Sequence, residues 1–275
     1  MNDSIGIVVR NDCALLKKNY VGGAQRWEGF TIFAGKKTIK TRGIEMLSRL
    51  LDLIAPRFCC MCGRRLDLQE DIICTGCFIV VPLSGYLDDL VENPMAQMFW
   101  GRINQFERAF ALMRYEPMSS SINTIMQLKY YHRPDVGEAL GQLMGKRLME
   151  TDFFDDIDAL IPVPLAHSRE RERGYNQSMM IARGLQLACH KPIWNNVVVR
   201  PVATVSQTKK DRVERADNMA GAFRVRHGDW LNGRHVVIVD DVVTTGATVC
   251  GVASVLQQAA DVRISVVSLA FAGEK

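Results

Sequence analysis

Four short runs of apolar, mostly β-branched residues punctuate the second half of the chain, at residues 157–163, 193–199, 235–239 and 264–269, with helix-length stretches between them. Such alternation predicts a parallel sheet wrapped by helices, its strands joined by right-handed crossovers. Upstream, residues 118–130 and 134–151 read as helices, and Leu140, Leu143, Met144 and Leu148 recur at helical spacing. An earlier amphipathic stretch carries Met46, Leu47, Leu50, Leu51 and Ile54 on one face and stops at Pro56. The compact protein is expected to begin there, and Met46 is a candidate start of translation. Residues 1–45 show no clear period, and no role follows for them.

Composition narrows the class. At 275 residues the chain is long enough for one sizeable α/β domain and a small module. The formal charge of +4 is modest, but residues 200–226 hold seven Lys or Arg against three acids, which predicts a local anion-binding surface. Charge alone does not choose between phosphate, pyrophosphate and nucleic acid. No apolar run approaches the roughly 20 residues of a membrane helix, and the N-terminus lacks a signal peptide's pattern. A cytoplasmic protein without membrane insertion is expected, so its cysteines are expected to be reduced.

Those cysteines include two Cys-x-x-Cys pairs, Cys59 with Cys62 and Cys74 with Cys77, eleven residues apart. Four thiolates at this spacing close a tetrahedron about zinc, and Gly63 and Gly76 let the turns form. Buried free cysteines or a redox pair are the plainer alternative, and Cys60 competes with Cys59 only by breaking the two-residue spacing. A closed shell of four sulfurs leaves no position for substrate, so a structural zinc ion is expected.

The strongest chemical signal is Val236-Val237-Ile238-Val239 followed by Asp240-Asp241, which places two carboxylates at the carboxyl end of a buried strand, where open α/β sheets bind ligands. After Val242 and Val243 come Thr244, Thr245, Gly246, Ala247 and Thr248, immediately before a helical stretch at 249–259. Small residues and hydroxyls at a helix N-terminus form an anion nest. Two acids beside a phosphate cradle make sense when the ligand also presents hydroxyls, as a phosphoribosyl group does. The bland alternative is a turn with solvated acids and a capping Thr. By contrast Gly141 to Lys146 imitates a triphosphate loop with too few intervening residues, and reads as an exposed helix face.

The stretch from Val236 to Thr248 resembles the fingerprint of type I phosphoribosyltransferases, which use 5-phosphoribosyl-1-pyrophosphate. That resemblance implies that Asp240 and Asp241 hold the ribose 2- and 3-hydroxyls, that residues 244–248 wrap the 5-phosphate, and that magnesium accompanies the ligand, which itself supplies most of its coordination. Two further blocks resemble the ComF and GntX family. In the first, Ile161-Pro162-Val163-Pro164 leads through a basic loop with Arg169, Arg171 and Arg173 into Arg173-Gly174-Tyr175-Asn176-Gln177. The three arginines are candidates to face pyrophosphate, although Glu170 and Glu172 alternate with them as on a solvated surface. In the second, Ser206-Gln207, Arg215, Asn218 and Ala222-Phe223 match the family's mobile loop, while Lys209 departs from it. Leu128-Lys129-Tyr130 is a weaker match, and Lys129 reads as an ordinary surface lysine.

The family also begins with a cysteine module. The expected fold is thus a parallel α/β sheet of type I phosphoribosyltransferase kind behind a small four-cysteine zinc module. Residues 1–45 would be an unassigned extension, 46–85 the zinc-ribbon-like module, and 86–275 the phosphoribosyltransferase-like domain. The resemblance implies phosphoribosyl transfer to an acceptor that the sequence does not disclose, with a role in natural competence. A rival reading is a non-catalytic DNA-uptake factor handling single-stranded DNA beside a helicase. A third is a scaffold that keeps the phosphate pocket for regulation. No general base stands out, and His167 is expected on a loop surface.

Overall fold

The structure, a computed structural model, describes residues 56–70, 72–116, 120–201 and 222–273, all within a compact unit spanning Pro56–Lys275. The expected helix at residues 46–54 and the block from Ser206 to Asn218 lie outside the described residues. Four parallel strands form the central sheet: β1 (Phe106–Arg114), β2 (Ala159–Pro162), β5 (Arg234–Val243) and β6 (Val262–Phe271). Their spatial order is β1-β6-β5-β2. Val236, Val237, Ile238 and Val239 are all fully buried in β5, each contributing roughly 2 kcal/mol of apolar burial. That burial resists any slip of the β5–β6 register, which pairs Val236 with Ile264 and Asp240 with Ser268.

The helices are α1 (Thr75–Val80), α2 (Pro94–Gln97), α3 (Ser120–Tyr130), α4 (Pro134–Leu148), α5 (His167–Arg173), α6 (Gln177–Cys189) and α7 (Ala247–Ala259). Helix α6 packs on β2 and β5, α7 on β5 and β6, and α4 lies against α6. The α4–α6 contact depends on glycine. A Cβ on Gly184 would sit 2.0 Å from the Glu138 carbonyl oxygen, and one on Gly141 would sit 2.2 Å from that of Ile181. The expectation of an exposed face at residues 141–146 is therefore wrong: Gly141, Met144 and Gly145 are buried, and the glycines let two helix backbones touch.

Two other expectations change. The basic loop after β2 is mostly helix α5, because its Arg and Glu residues are good helix formers that place opposite charges at i,i+3 spacing. The run at 193–199 does not form a continuous strand of the parallel sheet. Ile193 makes a single parallel bridge to Leu160, and after the Asn195-Asn196 break Val198–Val199 (β3) pairs antiparallel with Arg224–Val225 (β4). At the amino end of β5, buried His235 contacts Asp156 Oδ2 through Nδ1 and Ser265 Oγ through Nε2, each at 2.9 Å. Burial holds its pKa below the usual value for histidine.

Candidate functional site

At the opposite, carboxyl end of β5 the apolar run gives way to Asp240, which is only 8% exposed. Its Oδ1 accepts hydrogen bonds from Ser178 Oγ at 3.2 Å and from the Asp241 amide at 2.9 Å. Asp241 Oδ1 accepts from the Val242 amide at 2.7 Å, and its Oδ2 lies 3.1 Å from Lys129 Nζ. Burial first, and the neighbouring Asp241 charge second, push the Asp240 pKa up to about 7, with Lys129 and Ser178 acting in the opposite direction. Adjacent carboxylates on a strand would ordinarily point to opposite faces. Here both are held at the strand's end by groups from α3 and α6 and by backbone amides.

Five residues after Asp241, the chain turns sharply at Gly246, whose φ of 71° is left-handed and which caps α7 without a side-chain hydrogen bond. Glycine is required there for two reasons. Any other residue is strained at that φ, and a Cβ would lie 2.9 Å from both Met98 Sδ and Phe99 Cε1. Thr244, Thr245 and Ala247 are exposed and Thr248 is half-buried, so the first turn of α7 opens outward. Thr245 Oγ1 accepts from the Ala247 amide at 3.4 Å. The Thr245 carbonyl is held by Arg102 Nη1 at 2.9 Å, which brings an exposed guanidinium to the rim of this turn. Helix-terminal amides, two hydroxyls and this cation together suit a phosphate.

The β2 loop lies alongside, because the Val163 amide donates to the Val239 carbonyl at 2.9 Å. Pro164 follows, half-buried, and Asn176 Nδ2 holds the Val163 carbonyl at 2.9 Å while its Oδ1 caps α6. Arg169 and Arg171 are exposed on α5. Arg173 donates to Gln177 Oε1 at 3.0 Å and stacks 5.4 Å over the Tyr130 ring. Burial chiefly, and then the like charge of Arg169, lower the pKa of Arg200. Positive charge thus accumulates around α5. Gln207 and Arg215 lie outside the described residues. His167 is exposed on α5 and lies 3.8 Å from Glu170 Oε2.

Three residues here had no functional reading in the sequence. Lys129, taken for a surface lysine, is mostly buried and pairs with Asp241, and its match to the family's lysine motif was the available signal. Ser178 directly follows a recognised motif, but only the fold shows which carboxylate it faces. Arg102 carried no signal.

The cysteines make a second centre. The Sγ atoms of Cys59, Cys62, Cys74 and Cys77 all lie within 4.8 Å of one another, and Cys62 Sγ to Cys74 Sγ is 3.7 Å. Sulfurs bound at about 2.3 Å to one tetrahedral zinc ion stand about 3.8 Å apart, so this donor set fits a metal. Amides of Cys74 and Cys77 donate to Cys59 Sγ and Cys74 Sγ at 3.3 and 3.4 Å, as thiolates prefer. Cys60 is not part of the group: its Sγ turns away to Thr124 Oγ1 at 3.8 Å. Glu70 ties the module together, accepting from the amides of Asp67 and Thr75 and from Arg64, and these hydrogen bonds hold its pKa down at about 2.

No protein-family model matches the chain. Among curated proteins it is 32% identical over 213 residues to DNA utilization protein YhgH of Shigella flexneri, covering 74% of this chain and 92% of that protein. It is 27% identical over 223 residues to competence protein F of Haemophilus influenzae, with 77% and 96% covered. It is also 32% identical over 96 residues to competence protein ComFC of Bacillus subtilis, with 35% and 37% covered. Among solved structures it is similar to an allosteric regulatory enzyme of purine biosynthesis, at 18% identity and a TM-score of 0.37. A glutamine phosphoribosylpyrophosphate amidotransferase from B. subtilis is similar at 20% identity and a TM-score of 0.38. Each of these two alignments covers 52% of this chain and 30% of the solved one, so the chain spans less than a third of their length. Among the described residues no helix is long and apolar enough to cross a membrane.

Proposed function

The chain belongs to the ComF family, and from that premise we propose that it binds 5-phosphoribosyl-1-pyrophosphate at the end of β5 and transfers the phosphoribosyl group to an acceptor during DNA uptake. The observation that carries this reading is the juxtaposition of Asp240 and Asp241, held by Ser178 and Lys129, with the left-handed turn at Gly246. The carboxylates accept from the ribose 2- and 3-hydroxyls, while amides and hydroxyls of residues 244–248 take the 5-phosphate. Arg102 adds charge at the phosphate end. Arg169, Arg171 and Arg173 neutralise pyrophosphate beyond Pro164, and the family resemblance adds Arg215 as a further cation and Gln207 as a hydrogen-bond donor.

In transfer, the bond from the anomeric carbon to pyrophosphate oxygen breaks and its electron pair leaves with pyrophosphate. A lone pair on the acceptor then forms the new bond to that carbon. The ionised acid pair favours the oxocarbenium-like centre electrostatically, and the arginines favour the departing anion. Magnesium, held mainly by the ligand, would offset pyrophosphate charge. The four-cysteine group holds structural zinc in a module spanning residues 46–85, ahead of a phosphoribosyltransferase-like domain at 86–275.

A second reading, a DNA-uptake factor that grips single-stranded DNA beside a helicase, draws support from the relatives' names and from exposed Tyr130 stacked beneath Arg173. Calorimetric titration with phosphoribosyl pyrophosphate and magnesium, then with single-stranded DNA at two salt concentrations, separates the two. The first reading expects sugar-phosphate binding that Asp240→Ala abolishes, with no DNA affinity at moderate salt. DNA binding together with indifference to phosphoribosyl pyrophosphate would replace it with the second.

A further inference from the structure

The cysteine module and the acid pair contact the same helix. Cys60 and Met61 are the two residues between Cys59 and Cys62, so a metal ion held by both flanking thiolates fixes their backbone. Both are buried, and both touch α3. The Met61 carbonyl accepts from Asn123 Nδ2 at 2.8 Å, and Cys60 Sγ lies 3.8 Å from Oγ1 of fully buried Thr124. Five residues along the same helix, about 7.5 Å at helical rise, Lys129 Nζ meets Asp241. At the intervening turn the Leu128 carbonyl accepts from Tyr175 OH at 2.5 Å, which fastens the end of α3 to the segment preceding α6.

We propose that Asn123 and Thr124 are positioning residues through which the metal-held turn at residues 59–62 sets Lys129 against Asp241, so that metal occupancy and sugar-phosphate binding at the acid pair are coupled. The part concerning ligand rests on the function proposed above. The part concerning Lys129 does not. Coupling between two sites is reciprocal: a ligand that needs Lys129 in place also slows loss of the metal. Neither positioning side chain touches the ligand or the metal, so their effect is transmitted through the helix.

The test uses the full chain loaded with zinc. In wild type, Lys129 is shielded by its ion pair, and an amine-acetylating reagent read by mass spectrometry should modify it slowly relative to exposed Lys146 on α4. In Asn123→Ala/Thr124→Val with zinc retained, the rate at Lys129 is expected to rise roughly fivefold or more, the low end of typical coupling, with Lys146 unchanged. Thr124→Ser, which keeps the hydroxyl, should stay at the wild-type rate. Should the double variant fail to fold, Asn123→Ala alone carries the test, since that side chain is exposed. An unchanged Lys129 rate in a folded, zinc-loaded variant overturns the inference. Separately, ribose 5-phosphate with magnesium should slow transfer of zinc to a coloured chelator in wild type and not in the variant. If ribose 5-phosphate binds no form of the protein, the proposed function fails while the acetylation result still decides the link from knuckle to lysine.

Discussion

Replacing Asp240 by asparagine should stabilise the protein at alkaline pH while destroying its site. The side chains are nearly isosteric, and the asparagine carbonyl oxygen can accept the same hydrogen bonds from Ser178 Oγ and the Asp241 amide. What changes is charge. Burial, followed by the Asp241 charge, raises the Asp240 pKa from 3.8 to about 7. For an acid raised in the folded state, the native chain keeps a proton that the unfolded chain has released, so stability falls as pH rises from about 4 to about 7 and is level above that. At about 1.4 kcal/mol per pH unit, the penalty developed above that window is about 4 kcal/mol. Urea unfolding followed by tryptophan fluorescence should therefore find Asp240→Asn more stable than wild type by several kcal/mol near pH 8.5, by about half as much near pH 5.5, and close to wild type near pH 4. Groups such as His235 titrate equally in both proteins and cancel in the difference. Ribose 5-phosphate binding should be lost in the variant at the higher pH. A stability difference that is the same at all these pH values, or a variant less stable at the highest one, would refute the reasoning, because the carboxylate would then not be held against its own burial.

Gly246→Ala must adopt a left-handed φ of 71° and push its Cβ against Phe99, which is fully buried and cannot yield. A loss of roughly 2–4 kcal/mol by thermal or urea unfolding is expected, with weakened ribose 5-phosphate binding by calorimetry. In Gly184→Ala two effects compete: helix propensity gains about 1 kcal/mol, but a Cβ 2.0 Å from the Glu138 carbonyl oxygen and 2.6 Å from the Gln142 amide nitrogen meets backbone that cannot move aside. The contact wins, and urea unfolding should show a net loss of about 3 kcal/mol or more. Cys74→Ser should lower zinc content by elemental analysis and raise hydrogen exchange across residues 57–80, because structural zinc supplies folding free energy to such modules. Lowering pH from about 4.5 toward about 2 protonates Glu70 and removes the stability that its hydrogen bonds supply above that range. Glu70→Gln should flatten this part of the acid-unfolding curve.

The parts of the fold that were legible in the sequence are those where a residue's role is set by its neighbours in the chain. The apolar run stops at Asp240-Asp241, so the pattern put the acid pair near the carboxyl end of β5, although the strand itself runs on to Val243; a glycine between threonines and a helix implied a tight turn. Cysteine spacing likewise brought together the four sulfurs that now fit a tetrahedron. What stayed hidden depends on partners distant in sequence. Strand β1 opens with the polar residues Glu107 and Arg108 after Phe106, and its buried segment of Ala, Phe, Leu and Met is as suited to a helix as to a strand; only pairing with β6 decides it. In the sequence Gly141 read as part of an exposed helix face and nothing singled out Gly184; their meaning lies in the meeting of Gly141 with Ile181 and of Gly184 with Glu138.

Lys129 shows the same limit at the site itself. A single lysine on a helix is most often a solvated charge, and its helix gives no reason to think otherwise. Its role follows from where α3 ends, and α3 is held by Met61 and Cys60 at one end and by Tyr175 at the other. Two adjacent acids, one of them buried, would be a costly arrangement without a compensating cation. The lysine offsets part of that cost by approaching Asp241, leaving Asp240 as the carboxylate most easily kept neutral until a ligand arrives. Burial of Asp240 is the first cause of its raised pKa, and a residue more than a hundred positions away opposes it, so removing that residue should show its share. With Lys129→Met the pH above which ribose 5-phosphate binds should move upward, because a cation that favours ionised Asp240 is gone while burial and the Asp241 charge still favour the protonated form. A binding profile that does not move would mean that Lys129 lies beside the pair without governing it.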